Sequence, residues 1–379
     1  MKKLLIITSL YPNNENPIRG IFVKKQVEEL SKDYIVKVYA TESCNDEKTY
    51  SYWEDKIEVF QTKYRFPKFF LAPYFYKKAI KSNLPKIISS FNPDYIHIHV
   101  YQHIPELYVL SKFLKEKNIF VTFHNNKQIV EIKSFKKLFY EITLKSTLKN
   151  MDNIMVVSNK VKNILSPYLQ QNNKIYVIGN GVESVFPKIN KNEIEPFIPR
   201  NKDSLKLISV GNLIKSKGFD LLIEAVNNLR LAGNDIDLTI IGDGAEKQNL
   251  KDLINNYKLN EHIRLLGKIK HDVVMNLYNY YDAFVLPSWS ETFGIVYLEA
   301  MLAKKPVIGV KGEGIDGVII DGENGLLANP KDVKSLQEKI LKLKDEKYRK
   351  KIAEKGYETV INNYTLEIIS KKIIKIYER

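Results

Sequence analysis

The sequence predicts an α/β protein built as two doubly wound, parallel-sheet domains. Short Val/Ile/Leu-rich runs alternate with amphipathic stretches along nearly all of the 379 residues. Strands buried on both faces read this way when helices separate them. The alternation occurs twice, interrupted at 186–204 by a polar stretch with three prolines and no period, which is a linker by composition. Hydrophobic residues at 44% and charged residues at 27% exclude wholesale disorder, and the length leaves room for more than one core.

The first domain, expected over 1–188, opens with the run KLLIIT at 3–8. Its apolar stretch is shorter than the roughly 7–15 residues of a secretory signal core, so it reads as a strand. Further strands are expected at 34–40, 95–100, 119–123, 154–157 and 175–178, with helices at 21–30, 104–115, 135–148 and 160–169. In the second domain, expected over 189–364, strands fall at 205–210, 238–241, 263–266, 283–286, 306–310 and 325–327. Helices fall at 218–230, 245–256, 271–280 and 294–303. A last helix, 366–377, follows the final strand, and 365–379 is expected to pack back on the first domain. Two such domains would face each other across a ligand cleft, with binding loops at the carboxyl ends of the strands. The single cysteine, Cys44, excludes an intramolecular disulfide or a Cys-rich zinc site. No run approaches the roughly 18–20 apolar residues of a membrane-crossing helix. The expected place is the cytoplasm, with peripheral contact at the inner membrane face.

Lys and Arg number 59 against 44 Asp and Glu, a formal net charge of +15. Residues 59–150 alone hold 16 bases and 5 acids, so most of the excess sits in the first domain. From 59 to 93 no acid occurs, and Lys63, Arg65, Lys68, Lys77, Lys78, Lys81 and Lys86 are interleaved with Phe and Tyr. That mixture suits an anionic membrane surface, with rings in the interface and ammonium groups on lipid phosphates. A solvated helix with an aromatic core face accounts for it as well. Nucleic acid is disfavoured: only seven of the bases are Arg, the residue that bidentate phosphate and base reading favours.

Two loops carry the chemistry. In PSWSETFGIVYLEAM a buried strand stops at Pro287, a polar loop follows, and a helix starts near Phe293 and Gly294. The unpaired amides of 293–296 would form an anion site, Gly294 would let a ligand approach the backbone, and Glu291 and Glu299 would offer acceptors to hydroxyls. A phosphorylated sugar presents both kinds of group. SVGNLIKSKGFDLLIEA has the same strand–loop–helix layout, with Lys217 placed to reach a pyrophosphate. A third loop, Gly242-Asp-Gly244, is half of a dinucleotide fingerprint, and Lys247 stands where the third glycine belongs. Asp235-Ile-Asp237 spells a metal-binding D-x-D but precedes its strand, where turn chemistry is expected. His97 and His99 alternate on one strand and share a face, with His103 close by. They read as satisfied buried histidines or as metal ligands.

These segments, with IIGDGAEKQNL, KPVIG and GENGLLA, stand in the order and spacing of a large family. The chain resembles the retaining glycosyltransferases of the GT-B fold (glycosyl transferase group 1, family 4-like). SLYPNNENPIRGIFVKKQVEEL, PDYIHIH, VTFHN and VVSNKVKNIL extend the likeness to the first domain. The resemblance implies a first domain for the acceptor and a second for a nucleotide-sugar donor. Lys217 would bind the donor diphosphate, Glu299 the ribose hydroxyls, and Glu291 with Thr292, Phe293, Gly294, Ile295 and Val296 the sugar and β-phosphate. The backbone at Ile269 would meet the base, Gly20 would let the diphosphate pass, and His124 would touch the donor sugar. His124, Lys217 and Glu291 are thus the implied catalytic set, and His99 lies on the acceptor side. The family has Arg where Asn212 stands, a charge that Lys215 could supply. The implied reaction is a metal-independent, retaining hexosyl transfer from a UDP- or GDP-sugar. It uses no cofactor beyond that co-substrate, and its acceptor is a saccharide or lipid-linked saccharide of a surface glycan. The expected partners include an anionic membrane met through 59–150 and no nucleic acid. A nucleotide-sugar 2-epimerase of the same fold and a basic nucleic-acid-binding protein are the alternatives.

Overall fold

The computed structural model describes residues 1–17, 19–44, 47–65, 71–100, 104–114, 118–125, 135–199 and 203–379. The chain divides into two compact units, Met1–Gly181 with Leu366–Arg379, and Val182–Thr365. The break thus comes ahead of 188/189, inside what the sequence suggested was still first-domain chain.

The first unit is an eight-stranded sheet in the order β3-β4-β2-β1-β5-β6-β7-β8. Its strands are β1 (Lys3–Thr8), β2 (Ile35–Cys44), β3 (Lys48–Glu54), β4 (Ile57–Arg65), β5 (Tyr95–Val100), β6 (Ile119–Phe123), β7 (Asn153–Val156) and β8 (Lys174–Val177). All pairs are parallel except the hairpin β3–β4. Around the sheet lie α1 (Ile21–Leu30), α2 (Ala72–Phe91), α3 (Ile104–Phe113), α4 (Phe135–Leu148) and α5 (Asn159–Leu165). The strands β1, β5 and β6 are almost wholly buried, as parallel strands covered on both faces must be.

The hairpin β3–β4 is an element the sequence did not suggest. It turns at Asp55, with φ 49°, and β4 alternates Ile57, Val59 and Gln61 inward. The acid-free segment therefore contains a real strand followed by α2, whose Tyr76, Ile80, Leu84, Ile87 and Phe91 are buried. With Tyr64 these are core residues, so much of the interleaved aromatic content is inside the fold. Tyr74 remains exposed, while Phe66, Lys68, Phe69 and Phe70 lie outside the described residues.

The chain's last helix completes this first unit. Along α6 (Lys191–Ile194) and its successors the chain builds the second unit, and then α13 (Leu366–Tyr377) returns to pack on α1. Tyr377 inserts among Tyr34, Tyr95 and Phe120, with ring centroids 5.8, 5.4 and 4.7 Å away.

The second unit is a six-stranded parallel sheet in the order β11-β10-β9-β12-β13-β14. Its strands are β9 (Leu205–Val210), β10 (Ile236–Ile241), β11 (Ile263–Leu265), β12 (Ala283–Val285), β13 (Val307–Val310) and β14 (Leu326–Ala328). Its helices are α7 (Phe219–Leu231), α8 (Lys247–Asn256), α9 (His271–Leu277), α10 (Ile295–Leu302), α11 (Val333–Lys342) and α12 (Glu346–Asn363). The last two were not expected. Each begins at an aspartate, Asp332 and Asp345, whose carboxylate accepts a first-turn amide. In this sheet β9 pairs with β10 on one side and β12 on the other. The strand order reverses there, so the crevice between the loops after β9 and β12 is the place where a ligand belongs.

Candidate active site

The two loops that flank this crevice are joined by their backbones. After β9 the chain makes a single 3-10 turn, Lys215–Lys217, and reaches Gly218 at φ +71°. A Cβ on Gly218 would lie 2.4 Å from the carbonyl oxygen of Pro287, so only glycine allows this loop to lie against the one after β12. The Trp289 N–H and the Ser288 hydroxyl both donate to the Ser216 carbonyl, at 2.9 and 3.3 Å. That docking brings Lys217 Nζ to 2.5 Å from Glu291 Oε2, with both side chains largely buried.

Glu291 is fixed from behind as well. Its N–H donates to Glu313 Oε2 at 2.7 Å, and its carbonyl accepts from Gly314 N–H at 3.0 Å. Gly294 sits at φ +88°, and a Cβ there would be 2.6 Å from the Tyr297 ring. The chain then enters α10, whose first bond is Tyr297 N–H to Gly294 O at 3.1 Å. The amides at 294–296 thus precede any intrahelical acceptor and carry the positive end of the helix dipole. Beneath them the Tyr297 hydroxyl donates to Leu286 O at 2.5 Å. Burial, with the charges of Glu291 and Glu313, holds that hydroxyl well above the ordinary tyrosine pKa.

Glu299, in the second turn of α10, is 8% exposed, and its Oε1 lies 2.8 Å from His271 Nε2 at the start of α9. Ile269 stands half-buried in the loop after β11. That loop is anchored where Gly242 N–H donates to Gly267 O at 2.9 Å. Asn212 is exposed, and Lys215 Nζ is engaged with Asp220 at 2.6 Å. Sequence reasoning missed two residues that shape the site, Glu313 and His271. KGEGIDG signals only a turn, and nothing local marks His271 as a partner of Glu299.

In the first unit, His99 and His124 end the adjacent strands β5 and β6. Their rings stack at 11°, with His99 Nδ1 2.9 Å from His124 Nε2, so one nitrogen donates and the other accepts. His124 also packs on Phe22, ring centroids 4.9 Å apart. Burial is the main cause that lowers His124 to about 3 and His99 well below its usual range, so both imidazoles are neutral at pH 7. His97 has a different role. Its Nδ1 is 2.6 Å from the Tyr377 hydroxyl and its Nε2 2.7 Å from Thr122 Oγ1. It is a satisfied core histidine that clasps the last helix. Gly20, at φ +64°, caps α1, and a Cβ there would meet Leu10 O at 2.5 Å. His103 lies outside the described residues. Among the described residues no cluster of three or more His, Cys, Asp or Glu is arranged to hold a metal. Asp235 pairs with Arg230, and Asp237 with Arg230 and His262.

The second unit therefore offers an ammonium, a helix terminus and two carboxylates at a sheet switch point, the set that grips a phosphate joined to a polyol. The family model for glycosyl transferases group 1 matches residues 190–359, and that for glycosyltransferase family 4 matches 20–185. An uncharacterized glycosyltransferase of Methanocaldococcus jannaschii is 32% identical over 295 residues, 77% of each chain. The chain belongs to the glycosyltransferases. This glycosyltransferase is also similar to the capsular polysaccharide biosynthesis protein CapM of Staphylococcus aureus, with 27% identity over 71% of this chain and 72% of that one. Among solved structures, Anabaena HepE in complex with UDP superposes with a TM-score of 0.73 at 17% identity, covering 100% of both chains. The likeness shows that the glycosyltransferase has the GT-B fold, with two Rossmann-like domains.

Proposed function

We propose that this glycosyltransferase moves a hexosyl unit, with retention and without a metal, from a UDP- or GDP-sugar to a saccharide or lipid-linked acceptor of a surface glycan. The carrying observation is the Lys217–Glu291 pair beside the N-terminus of α10. In the reaction the bond between the anomeric carbon and the β-phosphate oxygen breaks, and negative charge gathers on the departing diphosphate. Lys217 and the amides of 294–296 are fixed dipoles and charge aimed at it, the kind of group that stabilises a transition state without reorganising. Glu291 holds sugar hydroxyls, and Glu299, steadied by His271, holds the ribose diol. The acceptor oxygen bonds the same face of the anomeric carbon while its proton passes to the leaving phosphate. His124, neutral, serves as a hydrogen-bonding group toward the donor sugar, with His99 on the acceptor side. No cofactor beyond the donor is required. The capsular role of CapM and the UDP bound by HepE support this reading.

The acceptor belongs to the first domain, and a peripheral place on an anionic membrane follows from its charge. Residues 59–150 are basic, and Tyr74, Leu138 and Ile142 are 65%, 61% and 60% exposed on helices of that stretch. No helix among the described residues is long and apolar enough to cross a membrane. Neutralising Lys77 and Lys86 should reduce cosedimentation with anionic vesicles, and unchanged sedimentation refutes this part. For the donor, a thermal-shift screen of UDP-, GDP- and ADP-sugars should single out one base. A protein that none of them stabilises would overturn the transferase reading.

A further inference from the structure

We propose that the basic cavity between the β3–β4 hairpin and α2 binds a phosphate or diphosphate group carried by the acceptor. The inference rests on the transferase reading above and adds a site to it. The cavity measures about 490 Å³, within the range of small-ligand sites. Lys48, Lys63, Lys78 and Lys81 line it, with the hydroxyls of Thr49 and Ser82.

Stability alone disfavours this arrangement. Lys48 and Lys63 stand directly opposite each other in the antiparallel register of the hairpin, where like charges repel. Lys78 and Lys81 are three residues apart on α2 and share a face, which is again unfavourable for like charges. Among the described residues the acid in the wall is Glu47, so their side chains carry four positive charges against one negative. A helix packed on a hairpin needs no such convergence, whereas an anion with several oxygens would make it favourable.

The lining also has the right hydrogen-bonding sense. Ammonium groups only donate and hydroxyls can donate, while phosphoryl oxygens at neutral pH accept. Lys63 is the innermost of the four, with its side chain 10% exposed, and its Nζ meets Glu15 Oε1 at 2.6 Å. Glu15 itself is 74% exposed, so this carboxylate is a readily displaced stand-in for an anionic ligand. Phe75 and Ala79 add an apolar edge, and Tyr74 lies on the same face of α2 one turn before Lys78. An anionic head next to an exposed ring matches a phosphorylated acceptor that also has an apolar part.

The test uses inorganic pyrophosphate, titrated into the full chain in a Lys217→Ala background so that the donor site is impaired. Pyrophosphate should bind there, and Lys63→Gln with Lys78→Gln should weaken it by about tenfold or more. Glu15→Gln should tighten it by about two- to fivefold by removing the competing carboxylate. No pyrophosphate binding, or binding indifferent to all three substitutions, overturns the proposal. If the lysine variants fold poorly, the Glu15 variant still decides between the two outcomes. Neutral phosphatidylcholine vesicles with and without a polyprenyl diphosphate then identify the source. Capture only by the doped vesicles, lost in the lysine variants, assigns the site to a lipid-linked acceptor. Pyrophosphate binding without capture assigns it to a soluble phosphorylated saccharide. Pyrophosphate binding in a protein that no nucleotide sugar stabilises would sink the transferase reading and leave this site standing.

Discussion

Removing one member of the Lys217–Glu291 pair should damage stability and catalysis through different routes, and a double-mutant cycle separates them. The two side chains are 18% and 12% exposed and meet at 2.5 Å, so deleting either charge leaves the other poorly solvated without a partner. The cost lies between that of an exposed pair and that of a fully buried one, about 1–2 kcal/mol. In a domain of this size that is a fall in Tm of about 2–8 °C. Lys217→Met and Glu291→Gln should each show it by differential scanning fluorimetry. The double variant should be no worse than either single one, because it leaves no orphan charge. In the transfer assay Lys217→Met should lower kcat by about 10²–10³, as loss of a group that stabilises the leaving charge does, and the double variant should not recover. Additive losses of stability would refute the pair as an interacting unit. Restored activity in the double variant would refute Lys217 as a ligand of the leaving group.

The buried histidines of the first unit predict acid sensitivity. His97 and His124 are lowered to about 3, so below the ordinary value of about 6.5 the unfolded chain takes up protons that the fold does not. Stability should therefore be full above about pH 6.5 and fall as pH drops toward 3, by about 1.4 kcal/mol per histidine at pH 5.5; a melting curve flat from pH 7 to 5 would contradict this. Tyr377→Phe strips the buried His97 Nδ1 of its partner and should cost about 1–3 kcal/mol, seen as a lower urea midpoint with an unchanged slope. Gly294→Ala forces a left-handed residue against the Tyr297 ring and should abolish transfer while lowering stability by about 1–3 kcal/mol. Retained activity would show that the backbone there is not held as described.

Four of the aliphatic strands were legible to the residue in the sequence, and most of the others to within a residue or two. The runs at 3–8, 95–100, 119–123 and 205–210 and the helices at 21–30 and 366–377 coincide with the folded elements, because a strand covered on both faces leaves an uninterrupted apolar run. The hairpin β3–β4 was not legible. KTYSYWE alternates threonine, serine and aromatics at a sheet edge, half in water, and β4 lies inside a stretch whose lysines dominate the eye. The helices α11 and α12 are mostly polar and bury only a narrow stripe, Leu336 and Ile340 in the first and Ile352, Ala353 and Val360 in the second. In the site, Glu291, Gly294 and Glu299 follow from one local motif. The meeting of Lys217 with Glu291 does not, because it depends on β9 and β12 pairing while two intervening strands pass to the far side. The Glu313 and His271 supports are non-local in the same way.

The return of α13 to the first unit has a consequence for the order in which the protein is made. A Cβ on Gly181 would sit 2.8 Å from the Cα of Leu366, and Val182 bridges Thr365, so the second unit is a contiguous segment whose two ends lie side by side. Such a segment can close its own core as soon as it leaves the ribosome. The first unit cannot. Its strands emerge first, but the Tyr34, Tyr95 and Phe120 rings lack the Tyr377 side chain, and His97 its hydroxyl, until α13 has emerged. The half that is synthesised later can close first, and the earlier half waits for α13 with an apolar seam open, the interval in which a chaperone would find it.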